Sequence, residues 1–252
     1  MINSTDGLLS IVVPAYNEEK NLEPTIVNLT KASHKLKGSY EIIVVDDNST
    51  DQTESVARRL EQKYPSVRLI KNTVNLGFGG AYKRGVENAR LSYVLMVPGD
   101  DAYPISSLER IFEKVGSADI VMSYTSNLQV RSFGRRLISK GFVHIMNLLF
   151  GLRLKYYNGV SVLPTTTAQN IKFSSGFSYA AENLVRLIKL RGFTYEQVPC
   201  EITERKDGKS SALRLKNIWS VFSGVSKLLV DVYCLSRFKT KPDMAKEDQK
   251  VF

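Results

Sequence analysis

The sequence holds few of the residues that announce a metal centre, a disulfide scaffold or a membrane span. Of its 252 residues, two are cysteine, two histidine and one tryptophan. Cys200 and Cys234 stand too far apart for a zinc or redox spacing, and His34 and His144 belong to no ligand motif. No apolar run reaches the roughly 18 residues of a membrane-spanning helix. Phe142–Leu152 is too short, and Lys227 and Asp231 interrupt the next candidate. Residues Met1–Gly7 lack the basic and apolar regions of a signal peptide. These absences predict free thiols in a reducing, cytoplasmic compartment and a chain that is soluble or peripheral on a membrane face.

What is present is an ordinary apolar share, 43%, and a net charge of +10 that is unevenly spread. Arg and Lys recur from Arg131 to Lys241, as in Arg135-Arg136, Arg205-Lys206 and Arg214-Leu215-Lys216. Such a surface suits nucleic acid, an anionic membrane or a phosphorylated substrate. No aromatic RNA-binding motif or helix-turn-helix reader accompanies it, so no nucleic-acid partner is expected.

The first half alternates short apolar runs with amphipathic segments. Strands are predicted at Ser10–Val13, Glu41–Val45, Val67–Ile70 and Tyr93–Val97, and helices over Glu18–Leu36, Gln52–Lys63 and Gly80–Arg90. Continuous apolar strands between helices imply an α/β fold with a mainly parallel sheet covered on both faces. From about Asp119 the alternation loosens: a strand at Ile120–Ser123, a basic helix over Arg131–Leu152, a strand near Val160–Leu163, a helix near Phe177–Arg191 and a strand near Thr194–Val198.

In a parallel sheet, ligands sit beyond the carboxyl ends of the strands. Three loops there read Pro14-Ala15-Tyr16-Asn17-Glu18, Asp46-Asp47-Asn48-Ser49-Thr50-Asp51 and Pro98-Gly99-Asp100-Asp101. The adjacent carboxylates of Asp100 and Asp101 suit a hard cation, Mg²⁺ or Mn²⁺, that also takes phosphate oxygens; one of them could instead cap the helix near Pro104. Asp46 and Asp47 can accept hydrogen bonds from a base or ribose, and Tyr16 offers an aromatic face. Asn75-Leu76-Gly77-Phe78-Gly79-Gly80 opens a helix whose amides can approach a diphosphate, although it lacks the dinucleotide-binding spacing and follows the third strand.

Taken together, Ser10–Glu19, Ile42–Asp51 and Asn75–Gly85 resemble, in order and spacing, the family 2 glycosyltransferases, whose nucleotide-sugar-binding fold is called GT-A. The resemblance implies inverting transfer from a UDP- or GDP-linked sugar with a divalent ion. It implies donor contacts from Pro14, Ala15, Tyr16, Glu18, Asp46, Asp47, Asn75, Gly77, Gly80, Asp100 and Asp101, and metal ligation by Asp100 and Asp101. Arg135–Gly141, Ser175–Phe177 leading to Glu182, Val198-Pro199 and Arg205–Ser210 are most similar to dolichyl- and polyprenyl-phosphate mannose or glucose synthases. That similarity implies a polyprenyl phosphate acceptor held by Arg135, Ser139, Arg205 and Ser210. An ionised phosphate needs charge-assisted contacts more than a base. Catalysis would then rest on Asp100, Arg135 and Arg205, while Glu182 is open as a base, as an orienting acceptor or as a plain helix residue. The chain departs from the family where Pro98 and Ala102 flank the metal motif, and where Tyr156-Tyr157-Asn158-Gly159 replaces an acidic signature.

Two alternatives stand beside the polyprenyl phosphate reading: a sugar hydroxyl acceptor in polysaccharide or glycolipid synthesis, and a non-catalytic nucleotide-binding protein. Residues 1–211 are expected to form the catalytic domain, 212–238 an amphipathic C-terminal helix, and 239–252 a disordered tail. The stripe Ile218, Phe222, Val225, Leu229 and Val232 on that helix fits a membrane interface, a membrane-protein partner, a second copy of the chain, or the catalytic domain itself.

Overall fold

The computed structural model describes residues 8–171, 179–203 and 223–234. Seven strands form one sheet: β1 (Leu9–Ala15), β2 (Tyr40–Asp46), β3 (Val67–Lys71), β4 (Tyr93–Met96), β5 (Ile120–Thr125), β6 (Ser161–Pro164) and β7 (Tyr195–Cys200). Their spatial order is β3-β2-β1-β4-β6-β5-β7. All pairs are parallel except those of β6, which runs against both β4 and β5. The expected mainly parallel α/β sheet is therefore present, with one reversed strand that a short apolar run could not disclose.

Alternate strand residues feed two cores. Leu9, Ile11 and Val13 of β1 join Ile42 and Val44 of β2 beneath α1 (Leu22–Ala32), α2 (Thr53–Lys63) and α4 (Ile105–Phe112). Val12, Ile43 and Val45 point to the opposite face, toward α3 (Gly77–Glu87), α5 (Phe133–Phe150), α6 (Thr165–Gln169) and α7 (Tyr179–Arg191). Central strands buried on both faces explain why their sequences are apolar throughout.

Chain direction decides where a ligand fits. The path β1-α1-β2-α2-β3 moves outward to one edge; α3 then returns across the other face, and β4 pairs on the far side of β1. The switch in winding lies between β1 and β4, so a crevice opens at their carboxyl ends.

Residues 223–234, within the predicted C-terminal helix, are helical and end in a widened turn over Val230–Cys234. Leu228 and Val232 are buried in the second core. Tyr233 stacks on Phe150, its hydroxyl donating to the Leu149 carbonyl oxygen at 2.6 Å. Asp231 pairs with Arg186 of α7 at 2.9 Å. This stretch thus packs against the catalytic domain, one of the alternatives its stripe left open.

Candidate active site

The crevice at the switch point has a volume of about 1130 Å³ and is walled by Pro14 to Asn21, Asp47, Asp51, Asn75, Gly77, Phe78, Ala81, Pro98 to Asp101 and Thr203. Its loops are clasped to one another before any ligand arrives. The Asn17 amide donates to Ser49 Oγ at 3.0 Å, and the Thr50 amide returns a bond to Asn17 Oδ1 at 2.9 Å. Asp51 Oδ2 accepts from the Glu19 amide at 3.2 Å, while its Oδ1 accepts from the Thr53 amide at 2.9 Å. Burial pushes the Asp51 carboxyl up, but the Thr53 and Glu19 hydrogen bonds outweigh it and hold the group below its ordinary value.

Asp46 and Asp47 have different surroundings. Asp47 lines the crevice and is anchored, its Oδ1 accepting from the Asn72 side chain at 2.8 Å and the Leu76 amide at 2.9 Å. Through that second bond it holds the start of α3 against β2. Asp46 is fully buried and is absent from the crevice wall; Oδ1 accepts from the Ser49 amide at 3.1 Å, and Oδ2 is buried with no hydrogen-bond partner. A buried carboxylate oxygen left unmatched is costly. Gly77, at φ 73°, makes the left-handed turn into α3 and lines the crevice. Gly80 does not line it, because a Cβ there would meet Leu76. Tyr16 is 47% exposed at the rim, and Phe78, which sequence reasoning passed over, stands 49% exposed in the same wall.

Asp100 and Asp101 both face the crevice. Asp101 has φ 53°, its amide donates to Thr25 Oγ1 at 3.0 Å, and its Oδ1 accepts from the Asn28 side chain at 2.8 Å. Its carboxyl is raised chiefly by burial and further by the Asp100 charge, against the pull of the Asn28 bond. Neither aspartate caps α4, whose N-terminal position is Pro104. Two crowded carboxylates are a donor set for a hard cation. Among the described residues no group of three His, Cys, Asp or Glu side chains converges. A cation here would draw its remaining ligands from phosphate oxygens and water.

A second, smaller pocket of about 210 Å³ lies beside α5. Thr125 and Leu128 line it from the end of β5, Arg136, Ser139, Lys140, Val143, His144 and Asn147 from α5, and Lys155 and Tyr156 from the following loop. No carboxylate among the described residues lines it. Arg136 Nε is buried without a hydrogen-bond partner. Arg131 donates to the Tyr156 hydroxyl at 3.0 Å and to Thr125 Oγ1 at 3.2 Å; Lys155 Nζ lies 4.4 Å from the centre of the Tyr124 ring. Asn147 secures the loop, accepting from the Leu154 amide at 3.0 Å and donating to the Leu154 carbonyl at 2.8 Å.

Of the expected acceptor residues, Ser139 lines this pocket; Arg135 is exposed on α5 and gives way in the wall to its neighbour Arg136. Sequence alone could not choose between adjacent arginines, since only the helix rotation separates them. His144, given no role in the sequence, lines the pocket too. Arg205 and Ser210 lie outside the described residues, which stop at Thr203 in the crevice wall. Glu182 reaches neither cavity: it is 8% exposed and pairs with Arg186 at 3.3 Å, which ties it to Asp231. Burial lifts the Tyr103 phenol to about 12.

Known proteins resemble this chain in sequence and in fold. The chain is 40% identical over 159 residues to the dolichyl-phosphate beta-glucosyltransferase of Dictyostelium discoideum, covering 56% of this chain and 49% of that one. It is 30% identical over 175 residues to the dolichol-phosphate mannosyltransferase of Pyrococcus furiosus, covering 62% and 49%. The chain thus spans about half the length of these relatives. Among solved structures, glucosyl-3-phosphoglycerate synthase from Mycobacterium tuberculosis, in complex with Mn²⁺, UDP and glucosyl-3-phosphoglycerate, superposes with a TM-score of 0.68 at 19% identity. That match covers 87% of this chain and 80% of the synthase, and it establishes the GT-A fold. The family model described as Glycosyl transferase family 2 matches residues 10–180, a span that contains the crevice wall except Thr203, the Asp100-Asp101 pair and the cationic pocket; the chain belongs to that family.

Proposed function

We propose that the chain transfers a hexose, with inversion, from a nucleotide-diphosphate sugar to a polyprenyl phosphate at the cytosolic face of a membrane. The observation that carries this reading is the pairing of an acidic crevice with a separate cationic pocket that no carboxylate among the described residues lines. The first suits a nucleotide diphosphate with a cation; the second suits an anionic acceptor.

In this reading Asp47, Tyr16 and Phe78 receive the nucleoside, and the Gly77 turn lets the diphosphate approach the start of α3. Asp100 and Asp101 would hold Mg²⁺ or Mn²⁺, which neutralises charge on the departing diphosphate. Arg136, Lys140 and Lys155, with Ser139, hold the acceptor phosphate. Its oxygen forms the new bond to the anomeric carbon as the bond to the diphosphate breaks, and the nucleoside diphosphate leaves. The attacking oxygen is already ionised near neutral pH, so no proton has to be removed, and positioning and charge stabilisation provide the rate. Glu182, the base that a sugar hydroxyl acceptor would require, is engaged by Arg186 and away from both cavities, which favours the phosphate acceptor.

The test is transfer of radiolabelled hexose from a panel of UDP- and GDP-linked sugars to a short-chain prenyl phosphate with Mn²⁺. Transfer to sugar hydroxyls alone, with prenyl phosphate inert across the panel, would remove this reading.

A further inference from the structure

Helix α5 spans 18 residues and turns Met146 and Phe150 into the core. Its outward side is apolar as well: Phe133 is 72% exposed, Leu137 62%, Ile138 52%, Ile145 55% and Leu148 76%. At helical spacing these five fall on one continuous face. Soluble surfaces rarely gather so many large apolar side chains on one helix.

We propose that this face of α5 rests on a lipid bilayer bearing anionic headgroups, with its five side chains at the acyl boundary. Charge selects the occupant. The helix contains no acidic residue; Arg135 borders the apolar face on one flank and Lys140 on the other, with His144 between Phe133 and Leu137. Beyond Lys140 opens the pocket with Arg136 and Lys155. An apolar stripe edged by cations is the signature of a helix lying in a membrane interface, its long basic side chains reaching back to the phosphates. A second copy docked face to face would set these cations against their own kind. No helix among the described residues is long and apolar enough to cross a membrane, so α5 lies along the surface. Residues 223–234 do not compete for the role, because Leu228 and Val232 are already buried in the core.

The placement puts the mouth of the cationic pocket at headgroup level. Bilayer contact stands independently of the proposed transfer; only the identity of the lipid phosphate entering the pocket rests on that reading.

The experiment is co-sedimentation of the full chain with vesicles of phosphatidylcholine alone and of phosphatidylcholine mixed with phosphatidylglycerol, at low and high salt. The chain should bind the mixed vesicles and be weakened by salt. The double variant Leu137→Gln/Leu148→Gln should bind at least about ten-fold more weakly, since burying even one leucine side chain is worth about that factor. Its melting temperature, and its transfer to a water-soluble prenyl phosphate without vesicles, should match the parent. Failure of the parent to sediment with the mixed vesicles, or equal sedimentation of the variant, overturns the proposal. So does a parent dimer by light scattering that the variant converts to monomer, since a second copy then covers the face. Vesicle binding without transfer to any lipid phosphate would remove the proposed function and leave this inference standing.

Discussion

Asp51 shows how a single carboxylate can organise two loops without touching chemistry. It accepts from the Glu19 amide of the first loop and from Thr53 at the start of α2. Its folded-state value lies below the ordinary 3.8, so on acidification the unfolded chain takes up the proton first. The stabilisation is therefore complete above that ordinary value and lost as pH falls through the lower, folded one. Asp51→Asn should lower the melting temperature at neutral pH, and the gap from the parent should close as melts are repeated toward strong acid. A gap that stays constant to the lowest pH would exclude this role. Asp100 is different, because the proposed function gives it a cation to hold. Asp100→Asn should cut metal-dependent transfer about a hundred-fold while metal-free nucleotide binding, read by calorimetry, barely changes. Arg136→Ala should raise the acceptor KM about ten-fold, the scale of one charge-assisted hydrogen bond, and leave the donor KM alone; a rise in both would place Arg136 elsewhere.

Elements carry the next level of information. The β1, β2 and β4 runs were legible because strands buried on both faces leave no polar residue to confuse the pattern. The reversal of β6 was not, since four apolar residues have no direction until their neighbours are known. The residues of the strand-end crevice were readable for the same reason as the strands that end in them. The small cationic pocket was not, because it is assembled from the end of β5 and the turn after it, one side of α5 and the loop that follows, and helix rotation alone decides between Arg135 and Arg136. Gly159 belongs to that loop: a Cβ there would overlap the Ser123 carbonyl oxygen on β5. Gly159→Ala should destabilise the fold by about 2 kcal/mol or more, visible as a lower denaturant midpoint. Leu228 is fully buried although it lies far from the catalytic loops in sequence. Leu228→Ala should cost about 2–5 kcal/mol and, by hydrogen exchange, loosen α7 as well as its own segment, because Asp231 and Arg186 link the two.

At the scale of the molecule, acid and base are sorted into separate cavities. The basic excess behind the +10 charge falls in the second half of the sequence, which supplies α5 and most of the small pocket. Attraction of an anionic acceptor to that pocket is screened by salt. The clasped loops have a consequence for turnover. Asn17, Ser49, Thr50, Asp51 and Thr53 hold the first two loops around the crevice in place with hydrogen bonds made within the chain. A cavity built in advance loses little entropy when it is filled, and it cannot tell whether the nucleotide it grips still carries a sugar. Under the proposed function, the spent nucleoside diphosphate would therefore be held nearly as well as the donor. Its release should then limit the cycle, and added nucleoside diphosphate should inhibit competitively against the sugar donor.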